Sequence, residues 1–288
     1  MFHVSPDFPQ RPEIINFAAH RLVFIRGSLS YQDSYGSLTV VNENPFSLSF
    51  DHIGEKTTPE GHYILVIIPY SIDGQNADEV GVMAQTQVAV GHIRACLGKN
   101  GAFQHIFDNI LHLGSDKTEV TSQSFEMPNW HPPVNMEPSE SALLIEVGQA
   151  IDNLKPDLKA RAKLALSWFN RGQSASDHIE KFINCWVALE CFSDSDTHIK
   201  PLNQMLVQAY ALTLNEVTVK FGLGRLQGMR SDIIHKGRIP VLDGLLQMYV
   251  EAIFTDLLCQ FLSLPCPKRA DVFLDHSRER LAPYIGAG

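Results

Sequence analysis

Hydrophobic and polar residues follow two different rhythms along this chain. Up to about residue 126 the apolar positions come in short runs or alternate with polar ones, and after residue 140 they return every third or fourth position. In the first stretch, Ser37 to Phe50 holds SLTVV and FSLSF separated by Asn and Pro, which predicts two strands and a turn. Tyr63 to Pro69 reads YILVIIP, a continuous β-branched run of the kind found in a strand covered on both faces. Glu119 to Phe125 alternates as a strand does, while Glu79 to Leu97 and Phe103 to Leu113 carry helical spacing. Residues 1–128 are therefore expected to form an α+β domain.

Met127 to Glu140 reads MPNWHPPVNMEPSE, with four prolines and no period, so residues 129–140 are expected to be a linker. Beyond it, Leu143, Val147, Ala150, Ile151 and Leu154 share one helical face, as do Leu158, Ala162, Leu166 and Phe169. A third helix from about Asp177 to Phe192 would bury Ile179, Phe182, Ile183, Trp186, Val187 and Leu189. Leu202–Leu212, Leu223–Lys236 and Leu242–Leu264 continue the pattern, the last stopped by Pro265 and Pro267. Several helices with short connections predict an all-α helical bundle over residues 141–288. Trp168, Trp186 and Phe192 read as its core aromatics.

Composition changes this picture little, and charge changes it more. The 288 residues are 44% hydrophobic, enough for one large core or two ordinary ones. No stretch approaches the roughly 20 apolar residues of a membrane span, and Met1 to Arg11 lacks the charged start and apolar block of a signal peptide. A cytoplasmic protein with no membrane partner is expected. Cys96, Cys185, Cys191, Cys259 and Cys266 include no C-x-x-C pair and read as small core residues, so neither a metal nor a cofactor is implied. The net charge of −9 is unevenly spread: residues 1–154 carry 7 Lys and Arg against 18 Asp and Glu, and residues 155–288 carry 16 against 14. The second half is thus free to approach a phosphate backbone.

The chemistry concentrates in Leu226 to Pro240, LQGMRSDIIHKGRIP. Leu226, Met229 and Ile233 mark the face of this helix toward the bundle. At about 100° per residue, Arg230 falls on the edge of that face and His235 nearly opposite it. A core histidine would sit on the apolar face. An arginine, a histidine and Ile234 together on the outward side suggest a partner surface. Gly237 and Pro240 should end the helix just after His235, which places the imidazole at the negative end of the helix dipole. Histidine is the side chain whose ordinary proton affinity suits proton transfer at neutral pH, as phosphodiester cleavage requires.

Arg-x4-His at a helix end resembles the R-x4-6-H motif of the HEPN superfamily, and two blocks narrow the resemblance to its Apea-like group. Trp186-Val187-Ala188-Leu189-Glu190 matches that group's W-x-A-L-E helix. Arg230-Ser231-Asp232-Ile233-Ile234-His235-Lys236-Gly237 matches its R-S-x-I-x-H-x-G. The resemblance covers residues 141–285, and Ser231 stands where many HEPN nucleases carry Asn, Asp or His. It implies a metal-independent endoribonuclease of the toxin type, in bacterial antiphage defence or a toxin–antitoxin system. It also implies a homodimer whose motif helices share one cleft for an RNA substrate. The 2′-hydroxyl of RNA is the nucleophile, so no metal-activated water is needed. His235 would act as general base or acid and Arg230 would hold the phosphate, leaving a 2′,3′-cyclic phosphate and a 5′-hydroxyl. Ser231 would orient the His235 ring, Glu190 would support Arg230, and Lys236 and Arg238 are candidate RNA contacts.

A different class fits the same residues: a non-catalytic HEPN module that dimerises or binds a nucleotide or RNA. On the plainest reading, Asp232 and Lys236 form an ordinary salt pair on a solvated helix. For the nuclease, the acidic first half is expected to supply restraint through an antitoxin or a trigger ligand. Deleting residues 1–140 would then raise toxicity.

Overall fold

A computed structural model describes side chains over residues 66–68, 84–97, 142–193, 199–237 and 240–286, and elsewhere the backbone of the elements named below. The chain divides into two compact units, residues 1–71 with 100–138, and residues 72–99 with 139–288.

The described elements of the first unit are strands: β1 (Phe2–Val4), β2 (Pro6–Asp7), β3 (Ile14–Phe17), β4 (His20–Gly27), β5 (Leu29–Gln32), β6 (Leu38–Val40), β7 (Glu55–Thr57), β8 (Gly61–Ile67), β9 (Phe103–His105), β10 (Phe107–Leu113), β11 (Thr118–Ser124) and β12 (Val134–Asn135). Five form an antiparallel sheet in the order β3-β4-β8-β1-β9. The β-branched run expected as a strand is β8, hydrogen-bonded along both edges to β4 and β1. Of the two strands expected in Ser37 to Phe50, the first is β6, paired with β5, and the second lies outside the described residues.

Phe103 to Leu113 is not helical. Residues 103–105 pair with β1, and 107–113 form a hairpin with β11 in which Phe107 faces Ser124 and Leu113 faces Thr118. Apolar residues at 103, 107, 110 and 111 mimic a helical face. The next strand, TEVTSQS, supplies β-branched partners after a Gly-Ser-Asp-Lys turn sequence, and cross-strand pairing overrides the local pattern. Within the expected linker, residues 134–135 pair in parallel with 6–7 and the next helix already begins at Pro138.

The second unit is helical. Its described elements are α1 (Glu79–Leu97), α2 (Pro138–Asp152), α3 (Pro156–Ser174), α4 (His178–Glu190), α5 (Lys200–Tyr210), α6 (Leu214–Phe221), α7 (Leu223–Lys236), α8 (Gly244–Phe261) and α9 (Arg269–Ile285). Local chemistry sets several ends: Asp177 and Asp243 cap α4 and α8 through their carboxylates, and Thr213 with Glu216 forms a capping box on α6. The core is aromatic, with Phe169 stacked on Phe254 at 4.1 Å between centroids and Phe192 against both Phe254 and Phe261. Phe192 and Trp186 are buried as expected, but Trp168 is half-buried with Arg171 over its ring.

The helical unit is not confined to residues 141–288, because α1 is built into it. A Cβ on Gly91 would come within 2.0 Å of the Leu166 carbonyl oxygen, so α1 and α3 meet backbone to backbone. The His92 ring lies 2.9 Å from the Leu144 carbonyl oxygen, and Thr255 and Arg269 donate to the last carbonyls of α1 at Ala95. Helix α9 was absent from the sequence expectation, since prolines end α8. Asp256, fully buried in α8, restarts the chain by accepting the amides of Arg269 and Ala270 at 2.9 and 2.8 Å and the Tyr210 hydroxyl. Among the described residues no helix is long and apolar enough to cross a membrane.

Candidate functional site

Helix α7 carries the Arg230–His235 motif. It starts at Gly222, whose φ of +61° serves as the end of α6 as well, and it stops at Gly237, also at φ +61°, whose amide donates to the Asp232 carbonyl. The expected Gly237 cap is therefore present. Leu223 and Leu226 are fully buried, Met229 and Ile233 are half-buried, and Ile234 is 46% exposed. The helix thus emerges from the core along its length and presents its last turns to solvent.

Arg230 lies where the helix begins to emerge, its side chain 24% exposed. Its Nη2 is 3.4 Å from Glu190 Oε2 at the end of α4, while its Nε is buried with no hydrogen-bond partner. The other Glu190 oxygen, Oε1, accepts the Trp186 indole N–H at 2.8 Å. The fold therefore brings the Trp186–Glu190 block and the motif helix together, 40 residues apart in the chain, through one carboxylate.

His235 is exposed five residues further along α7, which corresponds to about 7.5 Å of axial rise and about 140° of rotation. Ser231, four residues before His235, is half-buried on the same helix. Lys236 donates to Asp232 at 2.6 Å, the exposed i, i+4 pair. Arg238 lies outside the described residues.

A second polar cluster, unremarked in the sequence, joins α1, α3, α4 and α8. Arg94 donates to Asn170 Oδ1 at 2.6 Å and to Ser174 Oγ at 2.7 Å, and burial pushes its proton affinity down to about 10. Gln247 Nε2 donates to Glu251 at 3.2 Å and to the Cys185 sulfur at 3.3 Å. Burial raises the Glu251 carboxyl above its ordinary range and pushes the Cys185 thiol up to about 12, so that sulfur stays protonated and is no nucleophile at neutral pH. The signal visible in the sequence is Arg94, the one Lys or Arg of a helix rich in small and apolar residues. Its role is to fix helices to one another. Among the described residues no group of three or more His, Cys, Asp or Glu is placed to hold a metal ion.

Comparison with protein-family models, with curated proteins and with solved structures finds no match.

Proposed function

We propose that this chain is a metal-independent endoribonuclease of the Apea-like HEPN type, acting through Arg230 and His235. The observation that carries the reading is the Glu190–Arg230 contact: a half-buried guanidinium held by a carboxylate, on the same helix as an exposed histidine five residues on. Arg230, permanently charged, binds the scissile phosphate and offsets the charge that builds at the transition state. His235 takes the 2′-hydroxyl proton or returns one to the departing 5′-oxygen. The roughly 140° between the two side chains favours a cleft shared between two protomers, in which the arginine of one meets the histidine of the other.

A specific observation favours the rival reading of a dimerising or RNA-binding module. Ile234, next to His235, is a large apolar side chain left exposed, which suits an interface. One experiment separates the two. The full-length chain and an Arg230→Ala/His235→Ala double variant are induced in a bacterial host, with growth and RNA ends followed. The nuclease reading expects arrest and cyclic-phosphate ends from wild type only, with the purified variant's cleavage down by at least about 100-fold. Equal arrest by both proteins would remove Arg230 and His235 from the mechanism.

A further inference from the structure

A buried indole needs an acceptor, and Glu190 serves Trp186 in that ordinary way. What goes further is the state in which this leaves Arg230. An arginine and a carboxylate with nothing else between them pair through two parallel hydrogen bonds at roughly 2.7–2.9 Å. Here there is one contact, at 3.4 Å, and the Arg230 Nε is buried without a partner. An unpaired buried N–H is destabilising, so a small turn of the carboxylate toward Nε would be favourable unless something opposed it. The indole N–H is one group that opposes it, because it holds Oε1 at 2.8 Å.

The geometry points to Trp186 as a positioning residue for the candidate site: by holding one oxygen of Glu190, its N–H lets that carboxylate orient Arg230 without closing on it as a two-bond pair. The guanidinium then keeps donors for a phosphate. Trp186 is 1% exposed and packs beside Phe182 at 6.2 Å between centroids, so it acts only through Glu190. The inference rests on the reading of Arg230 as a phosphate-binding group.

The test uses the full-length chain with Trp186→Phe, with Trp186 replaced by β-(3-benzothienyl)alanine, and with Glu190→Gln. The benzothienyl residue keeps the shape of tryptophan and puts sulfur in place of the N–H, so it remains informative where Trp186→Phe fails to fold. Two quantities are measured: the rate at which phenylglyoxal modifies Arg230, followed by peptide mass spectrometry, and the affinity for a single-stranded RNA oligonucleotide. Without the indole donor, Glu190 closes on Arg230. Modification should then slow, and RNA binding weaken, by about threefold to tenfold, the worth of roughly one hydrogen bond. Glu190→Gln, at a half-buried position, should speed modification. An unchanged modification rate in the folded benzothienyl protein overturns the inference, as does an unchanged rate in Glu190→Gln. Wild type that binds no RNA would instead bring down the phosphate-binding reading, while the modification rates still judge Trp186.

Discussion

Two glycines with the same backbone angle show how far a single residue's role depends on its surroundings. Gly222 and Gly237 both sit at φ +61°, but a Cβ on Gly222 would lie 2.5 Å from the Ile285 carbonyl oxygen whereas one on Gly237 meets open space. Gly237→Ala should therefore cost only the left-handed strain, about 1 kcal/mol. Gly222→Ala must also push the end of α9 away, for a total of about 2–4 kcal/mol. Urea denaturation of the two variants measures the contrast, and equal losses would contradict it. Gly237 was legible in the sequence because it follows a complete helical pattern and precedes Pro240. Gly222 was not, because its constraint comes from a chain segment 63 residues away. Glu251 was hidden for the same reason: its environment is Arg94, Gln173, Lys181, Cys185 and Gln247, drawn from four helices. Burial raises its proton affinity on folding, so its contribution is fully present below the ordinary carboxylate range and is lost as pH rises through the raised value. Glu251→Gln removes that titration. As pH rises from the ordinary carboxylate range through the raised value, the variant should gain stability relative to wild type, as read from urea midpoints, and a constant difference would sink the argument.

Among the elements, those that the sequence placed well carry their own boundary chemistry. Helix α7 runs from Leu223 to Lys236, as the apolar spacing and the Gly237 cap indicate, and α1 spans the expected Glu79 to Leu97. The misread ones depend on distant partners. Residues 107–113 have a helix-like pattern but find their hydrogen bonds in 118–124. Helix α9 has a polar sequence and an internal Pro283, and its first turn is organised by Asp256 in the preceding helix. That dependence is testable. Asp256→Ala removes the acceptor of two backbone amides and a tyrosine hydroxyl at a fully buried position, and should destabilise the chain by about 2–4 kcal/mol. The loss should appear as faster amide exchange at the start of α9 and a lower urea midpoint. A near-neutral effect would mean that packing of Ala270 and Leu274 alone holds the helix.

For the whole molecule, the placement of α1 changes what a truncation can reveal. The chain passes from one unit to the other within the proline-rich segment, at Pro138, and also at either end of residues 72–99. Residues 72–99 belong to the helical unit, so that unit carries 18 Lys and Arg against 20 Asp and Glu, and the other carries 5 against 12. The charge contrast behind the idea of an acidic restraint is accordingly weaker, −2 against −7, than the division at residue 154 suggests. Deleting residues 1–140 would also remove more than a restraint. It strips α1 from the groove where Gly91 meets Leu166, leaves Asn170 without Arg94, and exposes the face that covers Ala89, Ile93 and Cys96. Burial of such side chains, at up to roughly 1.5–3 kcal/mol each for the larger ones, is comparable to what a bundle of this size holds in reserve, about 5–15 kcal/mol in total. A fragment of residues 141–288 should therefore lose cooperative unfolding and bind a hydrophobic dye. Joining residues 72–99 to residues 139–288 through a flexible linker should restore a cooperative melt. If the shorter fragment folds as well as the joined one, α1 is dispensable and its deletion is a fair test of restraint. If it does not, harmlessness of the 141–288 fragment in cells reflects unfolding, and release of restraint must be sought with the joined chain.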